Sequence, residues 1–161
     1  MLISSRDRIL FVCRGNFCRS PMAEGSFRNE MRRKGLVANC DSAGTNTRIW
    51  GEEPDARAQW VAQRNFADIS GQMSRSVCRS DFTRFTLILA MDRSNIADLQ
   101  DIAPPEATAR ICLLLDVTPR LKGVEIRDPF GGTIDDFSKA WRLIEEGTQH
   151  LAREFGAAAG F

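Results

Sequence analysis

Short apolar runs alternate with segments of helical periodicity along this chain, and that alternation constrains the fold more than any other feature of the sequence. Residues 8–13, 85–91 and 109–115 are nearly continuous apolar stretches of a length typical of strands buried on both faces, and residues 36–42 could form a further strand. Strands that alternate with helices along a chain pair in parallel. We therefore predict an α/β fold, an open sheet of four parallel strands with helices on both of its faces.

Capping signals place the helices between these strands. Ser20, followed by a proline, is the expected N-cap of a helix over residues 20–34, and Pro54 predicts the start of a second helix. Asp92 is the expected N-cap of the helix after the third strand. Residues 133–136 resemble a capping box ahead of a long amphipathic helix.

The size, charge and cysteine content of the chain exclude several classes of protein. The 161 residues suffice for one domain with a substantial core. Lys and Arg number 22 and Asp and Glu 21, a net charge of +1, so we expect neither a nucleic acid nor a membrane surface as partner. No apolar run approaches the roughly 18 residues that span a bilayer. The five cysteines are odd in number and widely spaced, which indicates no disulfide framework and favours a cytoplasmic location.

The loop of residues 13–20 joins the first strand to the first helix and carries the clearest chemistry. A loop of this length can curl so that its backbone N–H groups form an anion site, which the N-terminus of the next helix completes. Gly15 permits such a curl, and the planar guanidinium of Arg19 can bind two oxygens of a phosphate group. The same positive field favours the thiolate of Cys13, a nucleophile for the bound phosphoryl group. Alternatively, Cys13 is an ordinary buried cysteine and Gly15 a turn residue, because a cysteine and an arginine at this spacing occur easily by chance.

Residues 12–24 resemble the signature of the low-molecular-weight protein tyrosine phosphatases. Further segments similar to that family follow in its order, at residues 41–45, 54–58, 90–95 and 128–132. The resemblance covers most of the chain. It implies a single phosphatase domain over residues 1–161, with its phosphate-binding loop after the first strand.

By this resemblance Cys13 is the nucleophile, Arg19 binds the phosphate, and Asp128 is the general acid and afterwards the general base. The implied reaction is hydrolysis of phosphotyrosine and aryl phosphate monoesters through a cysteinyl-phosphate intermediate, without a cofactor or a metal ion. These roles agree with the chemistry, because a phenolate leaves poorly unless an acid protonates it. An isolated Asp-Pro pair would indicate only a turn, so the position of Asp128 after the other segments carries its assignment. The expected partner is a phosphotyrosine protein or a small aryl phosphate substrate.

The resemblance also implies a set of substrate-binding residues. Ser20 corresponds to a hydroxyl that hydrogen-bonds the thiolate, and Asn16 to a residue that holds the loop in shape, although capping and turn roles fit both as well. Phe130 stands where the family usually has an aromatic hydroxyl, and Arg14 is a second cation where an uncharged residue is expected. The full expected set is Arg14, Gly15, Asn16, Phe17, Cys18, Ser20, Phe130 and Trp50.

Two further departures from the family pattern concern the surroundings of this loop. The family often carries an aromatic residue after Ser-Ala-Gly-Thr as a wall of the substrate slot. Arg48, Ile49 and Trp50 occupy that stretch, and the sequence does not decide which of them faces the slot. A histidine found in many members after the second helix is missing, with Gln72 or Met73 nearby. These departures bear on substrate preference and leave the type of reaction unchanged.

Three other functions have less support. A thioredoxin-coupled arsenate reductase shares the fold and the anion loop. That chemistry resembles a relay of thiols that needs two further cysteines close together, whereas the next cysteine after Cys78 is Cys112. A non-catalytic phosphate-binding module would need no general acid. A zinc site would need a second histidine or a closely spaced pair of cysteines. We interpret Cys40, Cys78 and Cys112 as ordinary buried cysteines.

Cys18 lies five positions after the proposed nucleophile on the same small loop. Residues on such a ring can bring their Cα atoms to the roughly 4.4–6.8 Å of a disulfide. The Cys13 thiolate would be oxidised first, to a sulfenic acid, and Cys18 would resolve it as a disulfide. The family resemblance favours this role over simple packing beneath the loop, and it predicts reversible redox regulation.

Overall fold

The computed structural model describes residues 3–37, 39–46 and 50–160, and its strands alternate with helices as the apolar runs predict. The strands are β1 (Ile9–Cys13), β2 (Cys40–Gly44), β3 (Leu87–Ala90) and β4 (Arg110–Leu113). The helices are α1 (Arg19–Arg33), α2 (Ala56–Arg64), α3 (Asp81–Arg84), α4 (Arg93–Ile102) and α5 (Ile134–Ala159). Two short 3₁₀ helices, Leu114–Val117 and Pro119–Leu121, follow β4.

The four strands form one parallel sheet in the order β2-β1-β3-β4, which confirms the predicted fold. Val12 in β1 pairs with Ala43 in β2 on one side and with Ala90 in β3 on the other. The chain therefore leaves β1 toward one neighbour and later returns to its other side. In open α/β sheets ligands bind beside the carboxyl ends of strands at such a reversal. Cys13, the last residue of β1, lies at that position.

Both faces of the sheet are covered by helices, which explains why the two central strands, β1 and β3, are apolar at every position. Ile9, Phe11, Leu87 and Leu89 pack into one core cluster with Phe27 of α1, Val61 of α2 and Phe155 of α5. Leu10, Val12, Ile88 and Ala90 pack into a second cluster with Phe82 of α3 and Leu99 of α4. Successive residues of a strand point to opposite faces, so a strand buried on both sides cannot alternate with polar residues.

Two of the four predicted helix starts are found unchanged in the structure. Asp92 caps α4, because its side chain accepts the backbone N–H of Asn95 at 2.8 Å. Thr133 and Asp136 form the capping box at the start of α5. The second helix begins at Ala56, with Asp55 as its N-cap, rather than at the predicted proline. None of the helices in the described ranges is long and apolar enough to cross a membrane.

The N-cap prediction for the first helix is wrong. α1 begins at Arg19, so Ser20 lies inside the first turn, and the N-cap residue Cys18 makes no side-chain capping bond. The Ser20 hydroxyl contacts Cys13 Sγ and the Ala43 carbonyl instead. Long-range contacts have taken the hydroxyl away from local capping.

Two expectations about strands and cysteines also need correction. β2 begins at Cys40 rather than Leu36, because the backbone N–H of Leu36 bonds to Met31 and closes the end of α1. Of the three cysteines expected to be buried, only Cys40 is. Cys78 is exposed in the turn before α3, and Cys112 is partly exposed.

Candidate active site

The loop between β1 and α1 is held in shape by Asn16. Its backbone is left-handed, with a φ of 52°, a conformation that non-glycine residues keep only where their surroundings hold them. The side-chain amide nitrogen donates to Ser20 Oγ and Ser42 Oγ, both at 3.0 Å, and Oδ1 accepts the backbone N–H of Arg75 at 2.8 Å. The left-handed residue of the curl is thus Asn16, whose side chain fixes it, whereas Gly15 does not have a positive φ.

Cys13 lies at the base of this loop and is 3% exposed. Its Sγ is 3.1 Å from Ser20 Oγ, which is also 3.3 Å from the carbonyl oxygen of Ala43. Asn16 already donates to Ser20 Oγ, so the single hydroxyl proton is free to point toward the sulfur or the carbonyl. Ser20 can therefore donate to a thiolate at Cys13, which stabilises the charged sulfur.

Arg19 begins α1 and is 2% exposed, with its guanidinium held on two sides. Nη1 donates to Asp92 Oδ2 at 2.6 Å and to the backbone carbonyl of Ile126 at 2.9 Å, and Nη2 lies 3.2 Å from Asp128 Oδ2. Burial alone would lower the pKa of Arg19, but the nearby Cys13, Asp128 and Asp92 outweigh it and raise the pKa. The guanidinium is a fixed cation beside Cys13.

Asp128 stands on the loop before α5, and its side chain is 45% exposed. Besides its ion pair with Arg19, its Oδ1 accepts the backbone N–H of Phe130 at 3.2 Å. The Phe130 ring, 63% exposed, meets the ring of Phe17 edge-to-face, with centroids 6.2 Å apart. This aromatic contact joins the loop of Asp128 to the loop of Cys13.

The two loops enclose a cavity of about 410 Å³, within the range that small-molecule sites occupy. Of the predicted site residues, seven line it, and Asn46 lines it as well. Asn16, Ser20 and Arg19 stand behind this lining and support it. The lining residues are Cys13, Arg14, Gly15, Phe17, Cys18, Asn46, Asp128 and Phe130.

Comparison with known proteins decides the family. Residues 8–159 match the family model of the low molecular weight phosphotyrosine protein phosphatases. The enzyme of that name from Schizosaccharomyces pombe is 34% identical over 149 residues, which cover 91% of this chain and 95% of that protein. The chain belongs to the low molecular weight phosphotyrosine protein phosphatase family. It is thus a protein tyrosine phosphatase, and neither the arsenate reductase nor the binding module is favoured.

Solved structures of this phosphatase family share the fold. Vibrio vulnificus Wzb, in complex with benzylphosphonate, is 32% identical and superposes with a TM-score of 0.79 over 91% of this chain and 97% of that one. The arginine phosphatase YwlE of Bacillus subtilis, a cysteine-to-serine mutant with a phosphorylated active-site serine, is 26% identical. Its TM-score is 0.84, over 92% of this chain and 95% of that one.

The further wall of the phosphatase slot differs from expectation. Trp50 is 67% exposed and is not among the described residues that line the cavity, and Arg48 and Ile49 lie outside the described residues. Asn46, whose backbone N–H bonds to the Arg14 carbonyl at 2.9 Å, lines the cavity on that side. Of the two residues near the position where many members of the family have a histidine, Gln72 donates to the carbonyl of Pro21 at 3.1 Å, and Met73 is exposed.

Sequence reasoning missed several residues that hold this site together. Asp92 was expected only as a helix cap, and the Ile126 carbonyl and the Arg75 amide were not expected to contribute at all. Asp92 follows the carboxyl end of β3, next to β1, so the rule that ligands bind at such ends could have identified it. Backbone groups such as those of Ile126 and Arg75 leave no signal in the sequence, because every residue carries them.

Cys18, the last residue of the loop, is a buried thiol. Burial raises its pKa far above the ordinary value, and the nearby Cys13, Asp55 and Asp128 add to that effect. At neutral pH Cys18 therefore keeps its proton. A disulfide with an oxidised Cys13 would require Cys18 to lose that proton as the bond forms.

Proposed function

We propose that this phosphatase hydrolyses phosphotyrosine and aryl phosphate monoesters through a cysteinyl-phosphate, with Cys13 as nucleophile, Arg19 as phosphate ligand and Asp128 as general acid and base. The observation that carries the proposal is that Cys13 and Asp128 line one cavity, with Arg19, at the end of the Cys13 loop, 3.2 Å from the Asp128 carboxylate. Two segments distant in sequence, the Cys13–Arg19 loop and the loop of Asp128, thus contribute the nucleophile, the cation and the acid that phosphoryl transfer needs.

The state of Arg19 supports a phosphate in the loop. Asp92 and Ile126 hold Nη1, so the orientation of the guanidinium is fixed before substrate binds. Its Nε is buried and has no hydrogen-bond acceptor among the described residues. A buried donor without an acceptor costs about 1–3 kcal/mol. A phosphate oxygen in the loop would satisfy this N–H and take up the charge of Arg19.

The proposed reaction has two steps. The Cys13 thiolate attacks phosphorus, the S–P bond forms, the bond from phosphorus to the aryl oxygen breaks, and Asp128 protonates that oxygen. A water molecule then attacks phosphorus, the Asp128 carboxylate accepts its proton, and the P–S bond breaks. The Ser20 hydroxyl, 3.1 Å from Cys13 Sγ, stabilises the departing thiolate. The phosphorylated serine in the YwlE mutant supports a covalent intermediate at the corresponding position.

The walls of the cavity favour a phenyl ring. Phe17 and Phe130 line it, and a ring between the mouth and Cys13 can pack against both. The benzylphosphonate bound to Wzb supports an aromatic group in this slot. Because YwlE is an arginine phosphatase, phosphoarginine is the alternative substrate with which phosphotyrosine must be compared.

The test compares phosphotyrosine, phosphoserine and phosphoarginine peptides of otherwise identical sequence, with and without EDTA. We expect phosphotyrosine to be turned over fastest and EDTA to have no effect. Cys13→Ser should abolish turnover, because a serine alkoxide does not form at neutral pH. Asp128→Ala should lower kcat for phenolic esters by roughly 10²–10⁴.

Matched controls separate these effects from general damage. Cys78→Ser changes an exposed cysteine outside the site, and Asp101→Ala changes an exposed carboxylate on α4, so both should keep wild-type rates. Faster turnover of phosphoarginine than of phosphotyrosine would refute the proposed substrate class. An Asp128→Ala enzyme with wild-type rates on phenolic esters would refute the role of Asp128.

We also propose that the protein acts in the cytoplasm as a single phosphatase domain. All five cysteines are free thiols in the structure, which suits a reducing compartment. Fluorescence microscopy of a tagged chain would test the location, and enrichment of the protein outside the cytoplasm would contradict it.

A further inference from the structure

The side chain of Arg57, in the first turn of α2, contacts three segments of the chain, and the proposed mechanism gives it no role. Its Nε donates to Asp55 Oδ1 at 2.9 Å and its Nη2 to Asp55 Oδ2 at 2.7 Å, a two-pronged ion pair. Its Nη1 donates to the backbone carbonyl of Gly132 at 2.7 Å. The guanidinium also lies 4.7 Å from the ring centroid of Phe137, in the first turn of α5. One side chain thereby uses both edges and a face of its guanidinium.

Asp55 connects this arginine to the phosphate-binding loop. The backbone N–H of Asp55 donates to the carbonyl of Phe17 at 2.9 Å, near the end of that loop. Its carboxylate is 9% exposed, and the hydrogen bonds from Arg57 hold its pKa below the ordinary value despite burial. Asp55 is therefore charged at neutral pH. Its backbone fixes the Cys13 loop, and its side chain fixes Arg57.

Gly132 connects the same arginine to the loop of Asp128. The backbone N–H of Gly132 donates to the carbonyl of Pro129 at 2.9 Å, which closes a tight turn. A Cβ at position 132 would lie 2.6 Å from Asp136 Oδ2 and 3.0 Å from the Pro129 oxygen, so the turn has no room for a side chain there. A hydrogen bond to Gly132 therefore constrains the whole turn, including the proline next to Asp128.

Asp128 needs such support. Its side chain is 45% exposed, and its contacts are to Arg19 and to the backbone of Phe130, on its own loop. A misplacement of about 1 Å in a reacting group can cost roughly 10²-fold in rate. The position of Asp128 relative to Cys13 thus depends on what joins their two loops.

We propose that Arg57 is a positioning residue, which with Asp55 sets the distance between the loop of Cys13 and the loop of Asp128. The role rests on the proposed function, since it acts through Asp128 as general acid. A lysine cannot replace Arg57, because an ammonium group lacks the planar fork that bonds a carboxylate along one edge and a carbonyl at the other.

The test measures kcat/KM of Arg57→Lys and Arg57→Ala on two esters. Phenyl phosphate has a strongly basic leaving group and needs the acid, whereas 2,4-dinitrophenyl phosphate has a weakly basic one and does not. We expect kcat/KM to fall roughly 10–10²-fold for phenyl phosphate and far less for the dinitrophenyl ester. Inhibition by inorganic phosphate reports the state of the Cys13 loop separately. Arg57→Lys retains the cation over Phe137 and serves if Arg57→Ala does not fold.

Arg64→Ala and Arg64→Lys are the matched controls. Arg64 ends the same helix and stacks on Trp60 at 4.9 Å, away from both loops, so these variants should keep wild-type kcat/KM on both esters. The same Arg57 substitutions in an Asp128→Ala background complete a double-mutant cycle. With Asp128 absent, we expect Arg57→Lys to cause no further loss on phenyl phosphate.

The outcomes are distinct. An equal loss on both esters, or an equal further loss in the Asp128→Ala background, would show that Arg57 only supports the fold and would overturn the proposal. Wild-type rates in Arg57→Lys would overturn it as well. If Asp128→Ala alone shows no dependence on the leaving group, the proposed role of Asp128 fails, and the role of Arg57 fails with it.

Discussion

The two oxygens of the Asp92 carboxylate serve different purposes, and substitution can separate them. Oδ1 accepts the backbone N–H of Asn95 at 2.8 Å and the hydroxyl of Ser94 at 2.6 Å, which caps α4. Oδ2 accepts Nη1 of Arg19 at 2.6 Å. Burial would raise the pKa of Asp92, but the hydrogen bonds from Ser94 and Arg19 outweigh it, so the pKa lies below the ordinary value.

The expected losses of stability follow from these contacts. Asp92→Asn keeps the cap, because asparagine caps as well as aspartate, and loses the charge that faces Arg19. A hydrogen bond to a charged group contributes about 1.5–3 kcal/mol. The loss should stay below the ~3–5 kcal/mol of a broken buried pair, since Asp92 is 21% exposed and Asp128 still pairs with Arg19. Asp92→Ala loses the cap as well, a further ~0.5–2 kcal/mol.

The same substitutions should affect the reaction, because Arg19 would retain only the Ile126 carbonyl at Nη1. We expect kcat/KM for phenyl phosphate to fall roughly 10–10²-fold in Asp92→Asn. Urea unfolding at neutral pH gives the stabilities, and Asp101→Asn on the same helix is the control. Equal stabilities of Asp92→Asn and Asp92→Ala would refute the capping role. A wild-type kcat/KM in Asp92→Asn would show that Arg19 needs no charge to hold it.

Three further predictions concern packing and the second loop cysteine. Gly25→Ala in α1 should destabilise the protein by about 1 kcal/mol net, because its Cβ would collide with Cγ2 of Ile69. Gly156→Ala in α5 should stabilise the protein by about 0.5–1 kcal/mol, because the side-chain atom nearest to the added Cβ lies 3.7 Å away. Denaturant unfolding of both variants checks that the two changes in stability have opposite signs. After peroxide treatment, dithiothreitol should restore the activity of the wild type but not that of Cys18→Ser. In the treated variant, mass spectrometry should find Cys13 as sulfinic or sulfonic acid. Full recovery of the variant would show that Cys18 does not protect Cys13. In a Cys13→Ser background, iodoacetamide should leave Cys18 unmodified at neutral pH, because burial raises the pKa of this thiol; rapid alkylation below pH 9 would contradict that.

Local patterns in the sequence predicted the parts of this fold that depend on neighbouring residues. The continuous apolar run of β1 signals burial on both faces, and the capping box of Thr133 and Asp136 depends on side chains three positions apart. The family signature added the proposed roles of Cys13 and Asp128, whose separation in sequence no local pattern could bridge. The structure brings these two to one cavity.

At Ser20, tertiary contacts outweighed local preference. Serine is a residue type that is favoured at N-caps, yet the Ser20 hydroxyl contacts Cys13 across the loop, because the end of β1 places that sulfur within reach. Arg57 shows the same limit, since it meets Gly132 75 positions away and nothing in the intervening residues encodes the contact. The caps of α4 and α5 are made by side chains within a few residues of the bonded backbone, so the sequence determined them by itself. Which side chains face one another depends on the order in which strands pair and helices cover them, and only the folded chain decides that.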